Sequence, residues 1–452
     1  MAINSVFGIA KTSLFAHQQA LAVTSANLAN ANNPAYSRQI AQFGTLAPDN
    51  RGAFSFGTGV AVNDVVRIRN AVTDNQIRTN NHSFYDSQKK ADVLGKVESL
   101  FSEPSEFGLS NLLVKFFNSW DKLALDPQSS ALRTDVVQSG QMLSEKIDNI
   151  YTGIGETKMD VRAESQEITK SINTIIEQLH IVNKQIYEAS VVGGGANDLI
   201  DTRDSMLEEL SKYANLNVSI DDNNVANVSI GGVFAVDGLH FKEFGIAELN
   251  GKLQFSTDNG ETISRLNGGS LNALIDVHNN KLPKQMEEVE RLATTLMENV
   301  NDIHSKGYSI TDPPITGLDF FSHYEYGKLE INSDLLDDPY NVAISEDQTS
   351  GNNSIALQLA ELKNSKLLNN KTMSENYSEL ISGIANEINL QQQNAESYSI
   401  VLTQLEQTKM EYSGVSTDEE MMNVMKYQRS YDAAAKLISV ADELMQTLLS
   451  LV

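Results

Sequence analysis

Seven histidines, three acidic clusters and a triple glycine are the residues of this 452-residue chain from which chemistry could be built. A metal site needs His, Asp or Glu spaced so that several ligands reach one point, as in His-Glu-x-x-His on a helix. His17, His82, His180, His240, His278, His304 and His323 show no such spacing and read as surface or seam residues. Gly193-Gly194-Gly195 could cradle a phosphate, but it follows a helical pattern instead of a strand and no Gly-Lys-Ser/Thr comes after it. It reads as a helix end. Asp221-Asp222, Asp337-Asp338 and Asp418-Glu419-Glu420 lack the alternating spacing of a calcium loop. They read as turn and helix-start residues, the last favoured by the helix dipole. With 59 acidic residues, nothing singles out a pair for hydrolysis. Trp120 stands in the apolar run 112–120 and reads as core. No catalytic, cofactor-binding or metal residue is assigned, and no enzyme is expected.

Composition narrows the function further. There is no cysteine, which removes disulfides, thiolate ligands and thiol nucleophiles together. A net charge of -25 disfavours nucleic acid and anionic membrane surfaces as partners. No apolar run approaches the ~18 residues of a membrane span, so membrane insertion is not expected. Asn4, Ser5, Lys11 and Thr12 interrupt the start of the chain, so neither is a cleaved secretory signal. The length exceeds what one core usually serves and predicts two to four domains.

The elements follow from periodicity. Residues 1–31 read as a helix, stopped by the Asn- and Pro-rich segment 30–36. Residues 40–70 look extended. Helices fill 71–212, with breaks near Pro104, Pro127 and Gly153, and Ile168, Ile172, Ile175, Leu179, Val182 and Ile186 form the strongest stripe. From 216 to 266 the period becomes two, with Val218/Ile220, Val228/Ile230, Phe234/Val236, Leu239/Phe241 and Leu253/Phe255 separated by turn formers: a module of hairpins. Helix returns at 281–304, residues 305–353 look irregular, and a long helix runs from 375 to 412. Thr417 and Glu420 predict a capping box for the last helix. The fold class expected is mainly α with inserted β: an elongated long-helix bundle formed by both halves of the chain, with a small antiparallel β-module projecting from it. Three domains are expected: terminal helices at 1–40 and 413–452, a helical rod with extended segments at 41–212 and 281–412, and an inserted β domain at 213–280.

The ends carry the strongest pattern. Phe7, Leu14, Leu21 and Leu28 recur every seventh residue. The last thirty residues carry two seams, Val424, Tyr431, Ile438, Met445, Val452 and Tyr427, Ala434, Ala441, Leu448. Burying four large side chains gives ~6–12 kcal/mol, whereas ordering residues 7–28 costs on the order of 22–44 kcal/mol of backbone entropy. The first helix should therefore be weakly ordered until another stripe covers it. Pattern alone leaves two readings open, an assembly seam or a pair of helices packed on a monomer.

Ser25-Ala26-Asn27-Leu28-Ala29-Asn30-Ala31-Asn32-Asn33-Pro34-Ala35-Tyr36-Ser37-Arg38-Gln39 resembles the N-terminal signature of bacterial flagellar axial proteins, with Asn27, Asn30, Asn32, Pro34, Tyr36 and Arg38 as its motif residues. Ser413-Gly414-Val415-Ser416-Thr417-Asp418-Glu419-Glu420, Tyr427-Gln428-Arg429-Ser430-Tyr431 and the run from Ala441 to Leu449 are similar to the C-terminal signature. Within that group, Tyr36-Ser37-Arg38-Gln39, Ser413-Gly414-Val415 and the run from Asn197 to Leu207 resemble the hook-associated protein 1 (FlgK) family of hook–filament junction subunits. Asn33 and Ala35 depart from the family's threonine and glycine, and alanine resists positive φ. The chain is short for the family, with little room after Phe255 for an extra outer domain.

The resemblance implies an extracellular structural subunit of the bacterial flagellum, exported through the type III apparatus without a cleaved signal. It implies assembly with sister copies through coiled-coil-like end helices, contact with hook protein and with the next hook-associated junction protein, and a cytosolic export chaperone on the C-terminal helix. The assembly residues expected are Phe7, Leu14, Leu21, Leu28, Val424, Tyr427, Tyr431, Ile438, Met445 and Leu448. A neighbouring junction or hook protein is the alternative, and a ligand-binding or enzymatic module in 216–350 is the alternative of another class.

Overall fold

The computed structural model describes residues 2–51, 54–101, 103, 105–193, 195–349 and 351–450. Helix α1 (Ala2–Ala29) leads through a turn into β1 (Gln39–Thr45), then β2 (Asp49–Arg51), β3 (Phe54–Phe56) and β4 (Val60–Arg67). β1 and β4 pair antiparallel, Gln39 opposite Arg67 and Thr45 opposite Val60, while β2 and β3 form a hairpin beyond them. The β1–β4 ribbon lies along α1. At Gly59 the approach is so close that a Cβ would stand 2.0 Å from Thr12 Oγ1, and φ is +126°, so only glycine fits.

The body begins with α2 (Ala71–Phe101), α3 (Leu109–Leu125) and α4 (Ser130–Val192). The 63 residues of α4 span ~95 Å at the helical rise. The expected break at Gly153 does not occur. Gly153 lies inside α4 where its missing side chain admits Leu100, whose Cδ2 would be 2.9 Å from a Cβ. The breaks in the regions of Pro104 and Pro127 do occur, between α2 and α3 and between α3 and α4, although Pro104 itself is outside the described residues. Gly193, at φ 72°, ends α4 with its N–H on Ala189 O and Ser190 O.

Helix α5 (Asn197–Tyr213) precedes a sheet in the order β5 (Leu216–Ile220), β6 (Ala226–Ile230), β7 (Val233–Asp237) and β8 (His240–Phe241), followed by the hairpin β9 (Phe244–Leu249) and β10 (Lys252–Thr257). Helix then resumes earlier than expected. α6 (Ser270–Asp276) passes through one π turn, Val277–Lys281, into α7 (Leu282–His304). Pro283 has no N–H to offer Asn279, and the wider turn accommodates that loss.

Within 305–353, expected to be irregular, β11 (Phe321–Glu325) and β12 (Lys328–Ile331) form a hairpin, with α8 (Ser333–Asp337) after it. The missed signal is Tyr326-Gly327, both at positive φ, where Asn-Gly would have announced the turn. Gly327 is obligatory, because a Cβ would meet Tyr151 at 2.1 Å. Tyr326 is 83% exposed at φ 49° and gains nothing from its ring. Tyr326→Asn is therefore expected to stabilise the body by ~0.5–1 kcal/mol, read as a higher urea midpoint at unchanged m-value.

The chain closes with α9 (Ser354–Glu361), α10 (Met373–Ser413) and α11 (Thr417–Leu449). α10 returns along α2, so long helices from both halves do lie side by side. One core joins α2, α3, the first half of α4, α7, α9 and the start of α10 around Trp120, Phe116 and Phe320. A second core joins the far half of α4, with Ile172, Ile176 and Leu179, to α5 and the β-module through Leu207, Ile230 and Phe255. His304 belongs to the first core, fully buried, which the surface reading of the histidines missed. His278 is buried as well.

Candidate assembly interface

Neither core contains any residue of α1, β1–β4 or α11. These segments form a unit of their own, built by pairing the two ends of the chain. Asn27 near the end of α1 reaches Glu420 in the first turn of α11, and His17 stacks on Tyr427 with centroids 6.1 Å apart, so the helices run antiparallel.

The pairing rests on a polar latch. Asn27 is 1% exposed and uses its whole amide. Nδ2 donates to Gln39 O at 2.8 Å and to Glu420 Oε2 at 3.1 Å, while Oδ1 accepts from Tyr36 Oη at 2.8 Å and from Gln39 N at 3.0 Å. Arg38 donates from Nε (2.9 Å) and Nη2 (2.8 Å) to Glu420 Oε1, and Nη1 sits 2.9 Å from Glu419. Its N–H donates to Ser413 O at 2.9 Å. The Glu420 carboxylate is thus almost wholly withdrawn from water, met by a guanidinium fork, an amide and the positive end of a helix. Burial, followed by the fields of Asp198, Asp201 and Glu420, pushes the Tyr36 phenol up to about 12, so it remains a donor.

Glu420 therefore does not complete the expected capping box with Thr417. Ser416 supplies the cap, its Oγ accepting from Glu419 N at 3.4 Å. The departures at Asn33 and Ala35 do not distort the turn. Asn33 Oδ1 accepts from Ala35 N at 3.1 Å, and Ala35 is not among the residues at positive φ. Of the remaining motif residues, Asn30 closes the end of α1 by donating to Ala26 O, and Asn32 and Pro34 lie exposed in the turn.

The large heptad residues sit beside the seam. The fully buried apolar positions of the two helices are alanines: Ala10, Ala16 and Ala20 on α1, Ala434 and Ala441 on α11. Leu14, Leu21, Leu28, Val424, Tyr427, Tyr431 and Ile438 are half-buried, and Phe7 and Met445 are exposed at 40% each. The Leu448 side chain and Val452 lie outside the described residues. Phe15 on α1 and Leu437, Val440 and Leu444 on α11 add to the apolar surface left in water. A helix pair that closes on small residues and turns its large ones outward is built to be covered.

A second polar cluster holds this unit to the body. Arg67 donates to Asp201 Oδ1 (2.6 Å) and Asp204 Oδ2 (2.7 Å) on α5. Ser37 donates its N–H to Asp201 Oδ2 at 3.0 Å and its hydroxyl to Oδ1. Arg69 bridges Asp74 and Ser37, and Asn197 donates to Val65 O at 2.7 Å. Burial alone would raise the Asp204 carboxyl, but the Arg203, Arg67 and Arg69 guanidiniums outweigh it and hold it below its ordinary value. The run from Asn197 to Asp204 was visible in the sequence as a motif without a role. Its role here is to dock β4 and the turn after α1.

The model of the flagellar hook-associated protein FlgK helical domain matches residues 94–321, just over half of the chain. The chain belongs to the FlgK family. The C-terminal model of the flagellar basal body rod FlgEFG proteins matches residues 406–451, which include the Glu420 side of the latch. Flagellar hook-associated protein 1 of Bacillus subtilis is 26% identical over 98% of this chain and 97% of its own length. Its namesake from Salmonella typhimurium is 24% identical over 99% and 100%. A solved structure of the flagellar hook junction protein FlgK from Burkholderia pseudomallei shares the fold, with a TM-score of 0.63 at 12% identity, covering 74% of this chain and 99% of that one. FlgK membership gives the chain a structural role at the flagellar hook–filament junction, with mainly α architecture and inserted β modules.

Proposed function

We propose that this chain is a subunit of the hook–filament junction that polymerises through α1 and α11, without enzymatic activity. The observation that carries the proposal is the outward-facing row of large apolar side chains on a helix pair closed by alanines and one polar latch. Sister copies would cover Phe7, Leu14, Leu21 and Leu28 on α1 and Val424, Tyr427, Tyr431, Ile438 and Met445 on α11, with Leu448 continuing the stripe. In this reading 1–40 and 413–452 are the polymerisation domain, 41–212 and 281–412 the rod, and 213–280 the inserted β domain.

Hook protein on one side and the next hook-associated junction protein on the other complete the contacts. Type III export without a cleaved signal, with a cytosolic chaperone on the C-terminal helix, suits ends whose own buried surface is small. The location is then outside the cell.

Leu21→Asp or Ile438→Asp is expected to abolish incorporation while the body stays folded. Sedimentation of isolated hook–filament structures and a motility assay read the first effect, and the thermal unfolding of the body reads the second. Normal incorporation of both variants would overturn the proposal.

A further inference from the structure

Far from the paired ends, α7 and α10 part over the floor residue Leu94 of α2 to leave a cavity of about 410 Å3. That volume falls within the range of small-molecule sites. One end is closed by the ion pair between Lys281, the last residue of the π turn, and Glu387, at 2.9 Å.

Two buried polar atoms on this wall have no partner among the described residues. Gln285 is only 7% exposed, yet its Oε1 accepts no hydrogen bond. Arg291 places a guanidinium nitrogen on Glu288, but its buried Nε–H donates to nothing. Such atoms lower stability unless something meets them. Lys284, next to Gln285 and also lining the cavity, has no ion-pair partner among the described residues. One wall therefore offers an acceptor, a donor and a positive charge. The facing wall offers the apolar groups of Leu380 and Ile384 on α10.

We propose that this cavity binds a small zwitterion, an α-amino acid with an aliphatic side chain. Its ammonium donates to Gln285 Oε1, its carboxylate accepts from Arg291 Nε and meets the Lys284 charge, and its side chain lies on Leu94, Leu380 and Ile384. The site is independent of polymerisation through the ends.

Gly383 supplies the decisive variant. It lines the cavity from within α10, and a Cβ built there meets nothing within 4 Å, so Gly383→Met fills the space without displacing a neighbour. The test is a titration of the full-length monomer with L-leucine and, separately, with 4-methylpentanoate, which lacks the ammonium. Side-chain amide resonances and heat are followed up to about 10 mM, a range that captures millimolar affinity. L-leucine is expected to saturate and to shift the Gln285 amide, with 4-methylpentanoate at least tenfold weaker. Gln285→Leu and Gly383→Met, each with a native circular dichroism spectrum, are expected to lose the response. Absence of saturable L-leucine binding, equal binding of 4-methylpentanoate, or binding that survives both substitutions would each overturn the site.

Discussion

Arg38→Ala is expected to part α1 from α11 while the body keeps its fold. The substitution removes the guanidinium fork from Glu420, whose carboxylate is 2% exposed, and leaves one Asn27 hydrogen bond to hold a buried negative charge. Stripping one partner from a buried pair costs about 3–5 kcal/mol, and the lower figure applies because Arg38 is itself 20% exposed. Little else opposes the separation, since the buried seam of the pair is alanine and alanine buries a small area. Amide exchange on the dilute monomer should speed up about 100-fold across Ala2–Ala29 and Thr417–Leu449, the factor that ~3 kcal/mol implies. Amides around Trp120 should exchange as before, because neither core touches the latch. Arg38→Lys should rescue little, as a single ammonium cannot reproduce two parallel bonds to one carboxylate. Unchanged protection of both end helices in Arg38→Ala would show that the alanine seam alone holds them.

The latch explains why the ends were the legible part of the sequence. Heptad spacing located two helices but not their partner, and it overrated the large residues at the contact. A stripe at Leu14, Leu21 and Leu28 reports one face of a helix, and the sequence does not say whether a second helix or a sister molecule covers it. Alanine carries a weak pattern signal, so the true seam at Ala10, Ala20, Ala434 and Ala441 left little trace. The motif residues carried the information instead. Asn27, Tyr36 and Arg38 meet Glu420 across a sequence separation that no local rule bridges, and only a paired signature at both ends hinted at it.

The body shows the opposite balance. The alternation from Val218 to Phe255 placed the β-module, because turn formers there match their turns: Asn224, Asn250 and Gly251 all adopt positive φ. The hairpin at 321–331 escaped notice because a tyrosine occupies a position that glycine or asparagine would mark. Gly153 misled in the other direction, since a glycine that opens room for Leu100 looks in sequence like one that breaks a helix. The joint at Arg67, Arg69, Asp201 and Asp204 was invisible for a further reason. Charges in sequence read as solvated surface, and only the fold brings these four together at no more than 14% side-chain exposure.

His304 should make the body sensitive to acid in a window that no surface histidine would set. Its ring lies between Trp120 and Phe320, at centroid distances of 6.1 and 5.6 Å, and is fully buried. Nδ1 lies 2.7 Å from Leu318 O and Nε2 accepts from Ala343 N at 3.0 Å, which assigns the proton to Nδ1 of a neutral imidazole. Burial drives its pKa down to about 4; the Leu318 carbonyl opposes the shift, and the Arg133 charge adds to it. Because the folded value lies below the unfolded one of 6.5, protons favour the unfolded chain. The stabilisation is complete above that value and drains away as pH falls toward the folded one. Between pH 7 and pH 4.5 the loss is about 2.5 kcal/mol. His304→Gln removes the titration and some aromatic packing, so it should be less stable than the parent at pH 7. The gap between the two should close by about 2.5 kcal/mol at pH 4.5. Urea unfolding of parent and variant at both pH values isolates the effect, since carboxylates such as Asp204 titrate alike in each and cancel. A gap that stays constant would mean that the imidazole is already protonated, or open to water, in the folded body.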